Sequence, residues 1–287
     1  MVKIVRKKVL NSAVTLLEVE APLIAAKAQP GQFIIFRVDE RGERVPLTIA
    51  DSDPAKGTVT IIFQKVGLST RLLGDLNEGD TILDFVGPLG EPTELPEGAK
   101  NICVVGGGVG CAIAYPQAKA RFGTGINVDV IAGFRSKDIV ILEEEFKACS
   151  DNFYLMTDDG SYGEQGFVTA KLKERLDSGK KYDAVIAIGP VPMMKFVCIT
   201  TEPYNVPTIV SLTPLMIDGT GMCGCCRVTV DGKVRFACVD GPDFDGHKVD
   251  FDELINRNAV YREKEAEDCD EKHHACRLEQ LGKQLIH

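Results

Sequence analysis

The chain has 287 residues and a formal net charge of −9, and 44% of its residues are hydrophobic. This length exceeds one typical domain and predicts two or three, while the acidic balance argues against a nucleic-acid partner. No apolar run is long enough to span a membrane, and the basic N-terminus lacks the apolar segment of a signal peptide. The ten cysteines are partly clustered and partly solitary, a pattern typical of a reducing compartment, so we expect a cytoplasmic protein.

Residues 1–97 alternate polar and apolar residues in the manner of short β-strands. Strand-like runs begin at Val14, Gln32 and Thr58 and are separated by Pro-Gly and Lys-Gly turns. Several short strands with regular turn signals predict a small antiparallel β-barrel.

Two runs within this barrel carry polar groups next to predicted strands. Residues 44–48 open one strand, and residues 64–70 lead from another strand into a predicted helix. At that helix start, Gly67, Ser69 and Thr70 would offer N–H and hydroxyl donors to a pyrophosphate. The alternative is that Ser69 and Thr70 only cap the helix.

From residue 98 to 213 buried strands alternate with helices, which predicts a doubly wound parallel sheet. One strand enters the glycine-rich turn 106–110, and another ends at Gly189-Pro190. A turn of the first kind can bind a pyrophosphate at the start of the following helix, although the spacing does not match G-x-G-x-x-G. The Gly-Pro turn lies where parallel sheets bind ligands. The structural alternatives are that residues 106–110 form only a tight turn and that Gly189-Pro190 only starts a helix.

The most informative segment contains Asp218, Cys223, Cys226 and Cys238. If Asp218 were a cysteine, the spacing would be C-x4-C-x2-C…C, which ferredoxin-type loops use to hold a [2Fe–2S] cluster. We therefore expect three thiolates and one carboxylate as ligands, with three glycines of the loop adopting positive φ. Two alternatives remain, a zinc site in which Cys225 replaces the carboxylate and a thiol–disulfide pair. Asp218 would then only cap a turn.

Residues 250–287 form a charged segment that we expect to be helical. In the run Cys269-x3-His273-His274-x-Cys276, residues 269, 273 and 276 lie at spacings that suit one helix face, and all four are metal-ligand types. The surrounding charges favour a solvated helix end instead.

The order of these motifs resembles the ferredoxin–NADP reductase superfamily, in particular the branch of the dihydroorotate dehydrogenase electron-transfer subunits. The resemblance covers residues 1 to about 250 and is most specific in the cysteine loop, which ends in Cys238-x-Asp240-Gly241-Pro242. With aspartate in the first cluster position, the chain is most similar to the small subunits of electron-bifurcating NADH-dependent ferredoxin:NADP oxidoreductases. In one departure, Val45 stands where the superfamily often has the arginine before its proline, and Arg44 is displaced by one residue.

This resemblance implies FAD, NAD(H) and a [2Fe–2S] cluster as cofactors. It implies an FAD-binding barrel (1–97), an NAD(P)-binding α/β domain (98–213), a cluster-binding region (214–249) and a helical tail (250–287). Thr48 would lie near flavin N5. The implied cofactor-binding residues are Arg44, Pro46, Leu47, Thr48, Gln64, Lys65, Val66, Gly67, Ser69, Thr70, Gly106, Gly107, Gly108, Gly110, Arg135, Gly189 and Pro190, and the implied metal ligands are Asp218, Cys223, Cys226 and Cys238.

A nicotinamide gives electrons as a hydride pair, an iron–sulfur cluster takes them singly, and a flavin converts between the two. The resemblance therefore implies an NADH-oxidising enzyme subunit, and this chemistry needs no acid or base residue. The resemblance implies a heterodimer with a larger flavin and iron–sulfur subunit, which would supply the second flavin for bifurcation and reach ferredoxin. The alternatives are the electron-transfer subunit of dihydroorotate or sulfide dehydrogenase and, in a different class, a non-catalytic zinc-binding adaptor. Arg135 and Lys137 would equally suit the 2′-phosphate of NADPH.

Overall fold

The computed structural model describes residues 1–260, and its first sheet is a nearly closed antiparallel barrel. The elements of the barrel are β1 (Val2–Val9), β2 (Val14–Glu20), α1 (Pro22–Ala25), β3 (Phe33–Arg37), β4 (Val45–Asp53), β5 (Thr58–Gln64), α2 (Leu68–Asp75), β6 (Thr81–Ile82) and β7 (Asp84–Leu89). The strand order is β6-β1-β2-β5-β4-β3-β7, and every pair is antiparallel. The predicted barrel is thus confirmed.

The barrel forms because apolar residues alternate along its strands and meet in one core. Phe36 of β3 and Phe63 of β5 are buried there, and Leu73 of α2 closes the core from one end. Burying one side chain of this size stabilises a fold by about 1.5–3 kcal/mol. The core therefore fixes the start of α2, next to the predicted pyrophosphate turn.

The second region alternates strands and helices as predicted. Its elements are β8 (Asn101–Gly107), α3 (Gly110–Arg121), β9 (Asn127–Phe134), α4 (Glu143–Lys147), β10 (Asn152–Thr157), β11 (Glu164–Gln165), α5 (Val168–Asp177), β12 (Ala184–Ile188), α6 (Val191–Thr201) and β13 (Thr208–Ser211). These strands pair in parallel. The run 102–105 is fully buried because helices cover both faces of such a sheet.

The cysteine region follows, with a hairpin, one further strand and a helix. These are β14 (Arg227–Val230), β15 (Lys233–Phe236), β16 (Asp243–Asp245) and α7 (Phe251–Ala259). β16 pairs antiparallel with β13 and completes a second seven-stranded sheet in the order β11-β10-β9-β8-β12-β13-β16. The doubly wound sheet is thus confirmed, with one antiparallel edge strand that the sequence pattern did not predict.

The helix predicted after residue 250 begins with α7. Asp250 caps it, since its side chain accepts a hydrogen bond from the Glu253 N–H at 2.9 Å. The metal candidates at 269–276 lie outside the described residues. Within residues 1–260, no helix combines the length and apolar content that crossing a membrane requires.

A buried polar network joins the barrel, the parallel sheet and the cysteine region. Gln117 of α3 donates to the Thr93 hydroxyl at 2.6 Å, and that hydroxyl donates to the carboxylate of Asp243 in β16. The Arg121 guanidinium donates to the Thr93 carbonyl at 2.9 Å. These hydrogen bonds link elements of all three regions in the interior, although the second carboxylate oxygen of Asp243 is buried without a hydrogen-bond partner among the described residues.

Candidate functional site

The outer face of β4 carries residues predicted to meet a flavin ring. Pro46 lies opposite Ile35, and Thr48 lies opposite Phe33. Leu47 packs against the barrel core instead. Because neighbouring residues of a strand point to opposite faces, Pro46 and Thr48 share the outer face, and Leu47 offers a ligand there only its backbone.

The turn between β5 and α2 is shaped by Thr70. Its hydroxyl accepts hydrogen bonds from the N–H groups of Val66 and Gly67, each at 3.1 Å, and donates to the Gly67 carbonyl at 3.0 Å. Thr70 therefore has the capping role that was the structural alternative. A Cβ added at Gly67 would meet no atom within 4 Å. The turn thus faces open space, where a pyrophosphate could approach the helix start.

Gln64 and Lys65 are placed by the barrel rather than by the turn. Gln64 pairs with Val14 in the sheet, and the Lys65 N–H donates to the Ala13 carbonyl at 2.8 Å. The aliphatic stem of Lys65 lies over Gly74 of α2, where a Cβ would come within 2.7 Å of Lys65 Cδ. Gln64 thus ties the end of β5 to β2, and the Lys65 side chain packs on α2 beside the turn.

Arg44 lies just before β4 and reaches the cysteine loop. Its Nε donates to the Ile217 carbonyl at 2.7 Å, and its Nη2 donates to the Asp218 carbonyl at 3.4 Å. In this structure Arg44 is therefore bonded to the loop, a contact that no sequence signal indicated.

The glycine-rich turn follows β8 at the carboxyl edge of the parallel sheet. Gly108 has a φ of 57° and donates its N–H to the Gly133 carbonyl at 2.8 Å. Gly110 opens α3, and a Cβ there would lie 2.6 Å from the Ile188 carbonyl oxygen and 2.7 Å from Gly189 Cα. Glycine is therefore required at position 110 for the two predicted nucleotide turns to touch.

The Gly189-Pro190 turn faces this glycine turn from the neighbouring strand β12. An added Cβ at Gly107 would meet Pro190 Cδ at 3.3 Å. Pro190 also caps α6, so the helix-start alternative holds as well. Both turns lie at the carboxyl edge of adjacent parallel strands, which is where open α/β sheets bind nucleotides.

Arg135 follows β9 at the same edge and is exposed. Lys137 is nearby, with its ammonium 5.1 Å from the centre of the Tyr162 ring. Both cations flank the nucleotide edge, so their positions suit either a pyrophosphate or a ribose phosphate.

Asp218 organises the start of the cysteine loop. Its carboxylate accepts hydrogen bonds from the N–H groups of Thr220, at 3.2 Å, and of Met222 and Cys223, each at 3.1 Å. The Cys223 thiol also donates to it at 3.3 Å. Burial would raise the pKa of Asp218, but hydrogen bonds from Thr220 and Cys223 outweigh that effect and lower the pKa to about 2. A carboxyl group with so low a pKa is ionised above that pH, and the ionised form is the one that binds a metal ion.

Two further thiols lie beneath the loop. Cys226 and Cys238 are buried, with their sulfur atoms 3.2 Å apart. Burial and the hydrogen bond with Cys226 raise the pKa of Cys238 to about 12. The thiol of Cys225 is half-buried, and its hydrogen bond with Cys223 raises its pKa. Cys225 therefore adjoins the Asp218–Cys223 pair through Cys223.

The four predicted ligands thus form two pairs, Asp218 with Cys223 and Cys226 with Cys238. Over the described range 1–260, no three His, Cys, Asp or Glu side chains are arranged to hold one metal ion. A zinc site needs four ligands around one point, whereas each iron of a [2Fe–2S] cluster takes two protein ligands. The residues present fit the binuclear cluster better than a single zinc ion.

The loop backbone supports this arrangement. The three glycines of the loop have positive φ, as predicted: Gly219 at 79°, Gly221 at 84° and Gly224 at 68°. A Cβ at Gly219 would lie 2.7 Å from the terminal methyl groups of both Ile35 and Leu89. The loop therefore lies directly on the outer face of the barrel, close to the face that carries Thr48.

The cysteine region matches a family of known proteins. Residues 213–250 match the iron–sulfur cluster binding domain of dihydroorotate dehydrogenase B. This match covers both ligand pairs and β14 to β16.

Relatives match most of the chain. A homologue of the dihydroorotate dehydrogenase B (NAD⁺) electron transfer subunit from Thermotoga maritima is 49% identical over 247 residues, covering 86% of each chain. The electron transfer subunit of that enzyme from Shouchella clausii is 35% identical over 238 residues, covering 79% of this chain and 89% of its own length.

One solved structure, of an NADH-dependent reduced ferredoxin–NADP oxidoreductase studied for flavin-based electron bifurcation, has a chain similar to this one. That chain is 43% identical, with a TM-score of 0.90, and the match covers 95% of this chain and 98% of the other.

Proposed function

The chain belongs to the family of dihydroorotate dehydrogenase B electron-transfer subunits, and we propose that it carries electrons between NADH and a larger partner subunit. In this proposal it is the small subunit of a bifurcating NADH-dependent ferredoxin:NADP oxidoreductase. The similarity over 95% of the chain to the structure of such an enzyme supports this assignment.

Each region has its own part in the proposal. Residues 1–97 would bind FAD, residues 98–213 would bind NADH, and residues 214–249 would hold a [2Fe–2S] cluster. When bound, the flavin supplies the conversion between two-electron and one-electron transfer. Since the outer face of β4 and the cysteine loop adjoin through Ile35, a flavin on that face would be near the cluster.

The protein's contribution is positioning. The glycine turn and Gly189-Pro190 would hold the nicotinamide nucleotide at the edge of the parallel sheet, while Pro46 and Thr48 would present the flavin face. Positioned reactants of this kind react faster because the entropy of bringing them together has already been lost. No acid or base side chain is required.

The pairing of Asp218 with Cys223 is the observation that carries the finer assignment. The dihydroorotate branch resembles a four-cysteine family, so a carboxylate in the first ligand position favours the ferredoxin:NADP oxidoreductase. A [2Fe–2S] cluster with one carboxylate ligand differs from a cluster held by four cysteines, because the iron–carboxylate bond is less covalent than an iron–thiolate bond.

Absorbance and EPR spectra of anaerobically purified chain, recorded before and after NADH addition, test the proposal. Iron, zinc and flavin would be assayed on the same sample. We expect FAD, iron equal to one [2Fe–2S] cluster per chain, and bleaching of the flavin by NADH. A sample that contains zinc but no flavin would contradict this proposal and favour the non-catalytic zinc-binding adaptor. A partner subunit that oxidises dihydroorotate would move the assignment to the other branch.

A further inference from the structure

We propose that Arg44 is a positioning residue that holds the carboxylate end of the cluster loop and tunes the cluster by its charge. This inference rests on the proposed function, because it concerns the same [2Fe–2S] site. It departs from the superfamily pattern, in which an arginine near this position serves the flavin.

The first argument is the pair of bonds that Arg44 makes. Its guanidinium donates to the carbonyl groups of two consecutive loop residues, Ile217 at 2.7 Å and Asp218 at 3.4 Å. A planar guanidinium fixes both the position and the direction of the groups that it binds, which a single-point cation does not. The backbone of Asp218 is thereby tied to the residue that precedes β4.

The second argument is how this end of the loop is attached to the barrel. Asp218 is half-exposed and Ile217 and Thr220 are exposed, whereas Met216 and Gly219 are buried. The hydrogen bonds of the Asp218 carboxylate are all made within the loop, to Thr220, Met222 and Cys223. They shape the turn but do not anchor it to the barrel. Arg44 provides the polar anchor, and the packing under Gly219 provides the apolar one.

The thiol pair, by contrast, needs no such anchor. Cys226 and Cys238 are buried and belong to a core cluster with Phe33 and Ile35 of the barrel. One half of the ligand set is therefore buried in that cluster, whereas the other half lies on a loop that is held by the packing of Met216 and Gly219 and by the bonds from Arg44. Loss of the Arg44 bonds should loosen Asp218 and Cys223 while leaving the buried pair in place.

Charge gives a second consequence. The Arg44 guanidinium is a cation, and it contacts the carbonyl group of a predicted ligand. Three thiolates and one carboxylate make the site strongly anionic, and reduction adds a further negative charge. A fixed cation beside it stabilises the reduced form, because the potentials of these clusters follow local charge and hydrogen bonding. Arg44 should therefore raise the reduction potential.

The test compares Arg44→Gln and Arg44→Lys with Arg41→Gln in the full-length chain. Arg41 is an exposed arginine of the same loop, so the control removes equal charge without touching the bonds to Ile217 and Asp218. Potentiometric titration of the EPR signal gives the cluster potential. The amide hydrogen exchange rates of residues 216–223 in the metal-free chain measure how well ordered the loop is.

For Arg44→Gln we expect a lower cluster potential, an altered EPR signal and amide exchange faster by about tenfold, the effect of losing a charged hydrogen bond. Arg44→Lys should keep the cluster potential close to that of the unsubstituted chain, because lysine retains the positive charge. Its amide exchange should stay faster, because lysine lacks the planar guanidinium that binds two carbonyl groups. Flavin content should not change.

Equal results for Arg44→Gln and Arg41→Gln would overturn the proposal, as would loss of flavin with an unaltered cluster. If the unsubstituted chain binds no iron, the proposed function fails instead. The exchange measurement on the metal-free chain still decides whether Arg44 orders the loop.

Discussion

The thiols of Cys226 and Cys238 lie 3.2 Å apart although eleven residues separate them in the sequence. The hairpin of β14 and β15 lies between them and brings them together, so the pair is formed by the fold itself. Cys226→Ser or Cys238→Ser should therefore abolish cluster binding, because serine is a weak ligand for iron. Iron content and visible absorbance of each anaerobically purified variant would measure the loss.

Cys225→Ser is the matched control for those variants, since the proposed ligand set does not include Cys225. It should keep the full iron content and a nearly unchanged spectrum. Loss of iron in Cys225→Ser together with retention in Asp218→Ala would show that Cys225 is the fourth ligand and the predicted set is wrong.

Asp218→Cys should retain the cluster with a different EPR spectrum and potential, because a more covalent thiolate replaces the carboxylate. Asp218→Ala should lose most of the iron, since it removes both the ligand and the hydrogen bonds that fold residues 218–223. EPR of the reduced samples distinguishes the two outcomes. An identical spectrum in Asp218→Cys would argue that position 218 does not bind iron.

Gly67→Ala tests the proposed flavin pyrophosphate site. The added methyl group meets no protein atom within 4 Å, so the free energy of unfolding should change by less than about 1 kcal/mol. A bound pyrophosphate would occupy that space, and FAD affinity should fall about tenfold or more, since tenfold corresponds to about 1.4 kcal/mol. Fluorescence titration of the flavin-free chain measures it. Unchanged affinity would place the pyrophosphate elsewhere.

Gly110→Ala should impair nicotinamide binding more than flavin binding. Its Cβ would press on the Ile188 carbonyl and on Gly189, forcing the two nucleotide turns apart at a cost of about 1–3 kcal/mol. Stopped-flow reduction of the flavin by NADH should show a raised dissociation constant for NADH. Normal reduction kinetics, with the FAD content unchanged, would contradict the assigned nucleotide site.

Asp243 gives a prediction of pH dependence. Burial raises its pKa, and the Thr93 hydrogen bond and the charge of Arg121 only partly oppose this. A carboxyl whose pKa is higher in the folded chain stabilises the fold below its unfolded pKa of about 3.9. That contribution is lost as the pH rises through the folded pKa. Asp243→Asn, which does not ionise, should therefore lose less stability than the unsubstituted chain on going from about pH 4 to 7.

Urea unfolding at a series of pH values measures this difference, with the exposed Asp75→Asn as control. The two substitutions should give different pH slopes. Parallel slopes for both variants would show that Asp243 ionises in the folded chain as it does in the unfolded one.

Local pattern predicted much of the fold. The barrel strands, the buried strands of the sheet and the positive-φ glycines at 219, 221 and 224 all follow from alternation, apolar runs and turn chemistry in short windows. The spacing of Asp218, Cys223 and Cys226 also belongs to this class, because these residues are close in sequence. The ligand roles themselves, like the flavin and nucleotide contacts, stay predictions.

Long-range contacts could not be predicted in this way. Arg44 meets the loop 173 residues later, and no periodicity encodes such a partner. The edge strand β16 is only three residues long, too short for a pattern to indicate which sheet it joins. Leu47 was predicted beside its neighbours Pro46 and Thr48, but strand alternation turns its side chain into the barrel core.

The position of β16 has a consequence for biosynthesis. The strand lies after Cys238 in the chain but completes a sheet that began at β8, so a ribosome must release the whole cysteine loop before that sheet can close. A nascent chain that stalls before Asp243 would expose β13 as an open edge, the kind of surface from which strand-to-strand aggregation starts.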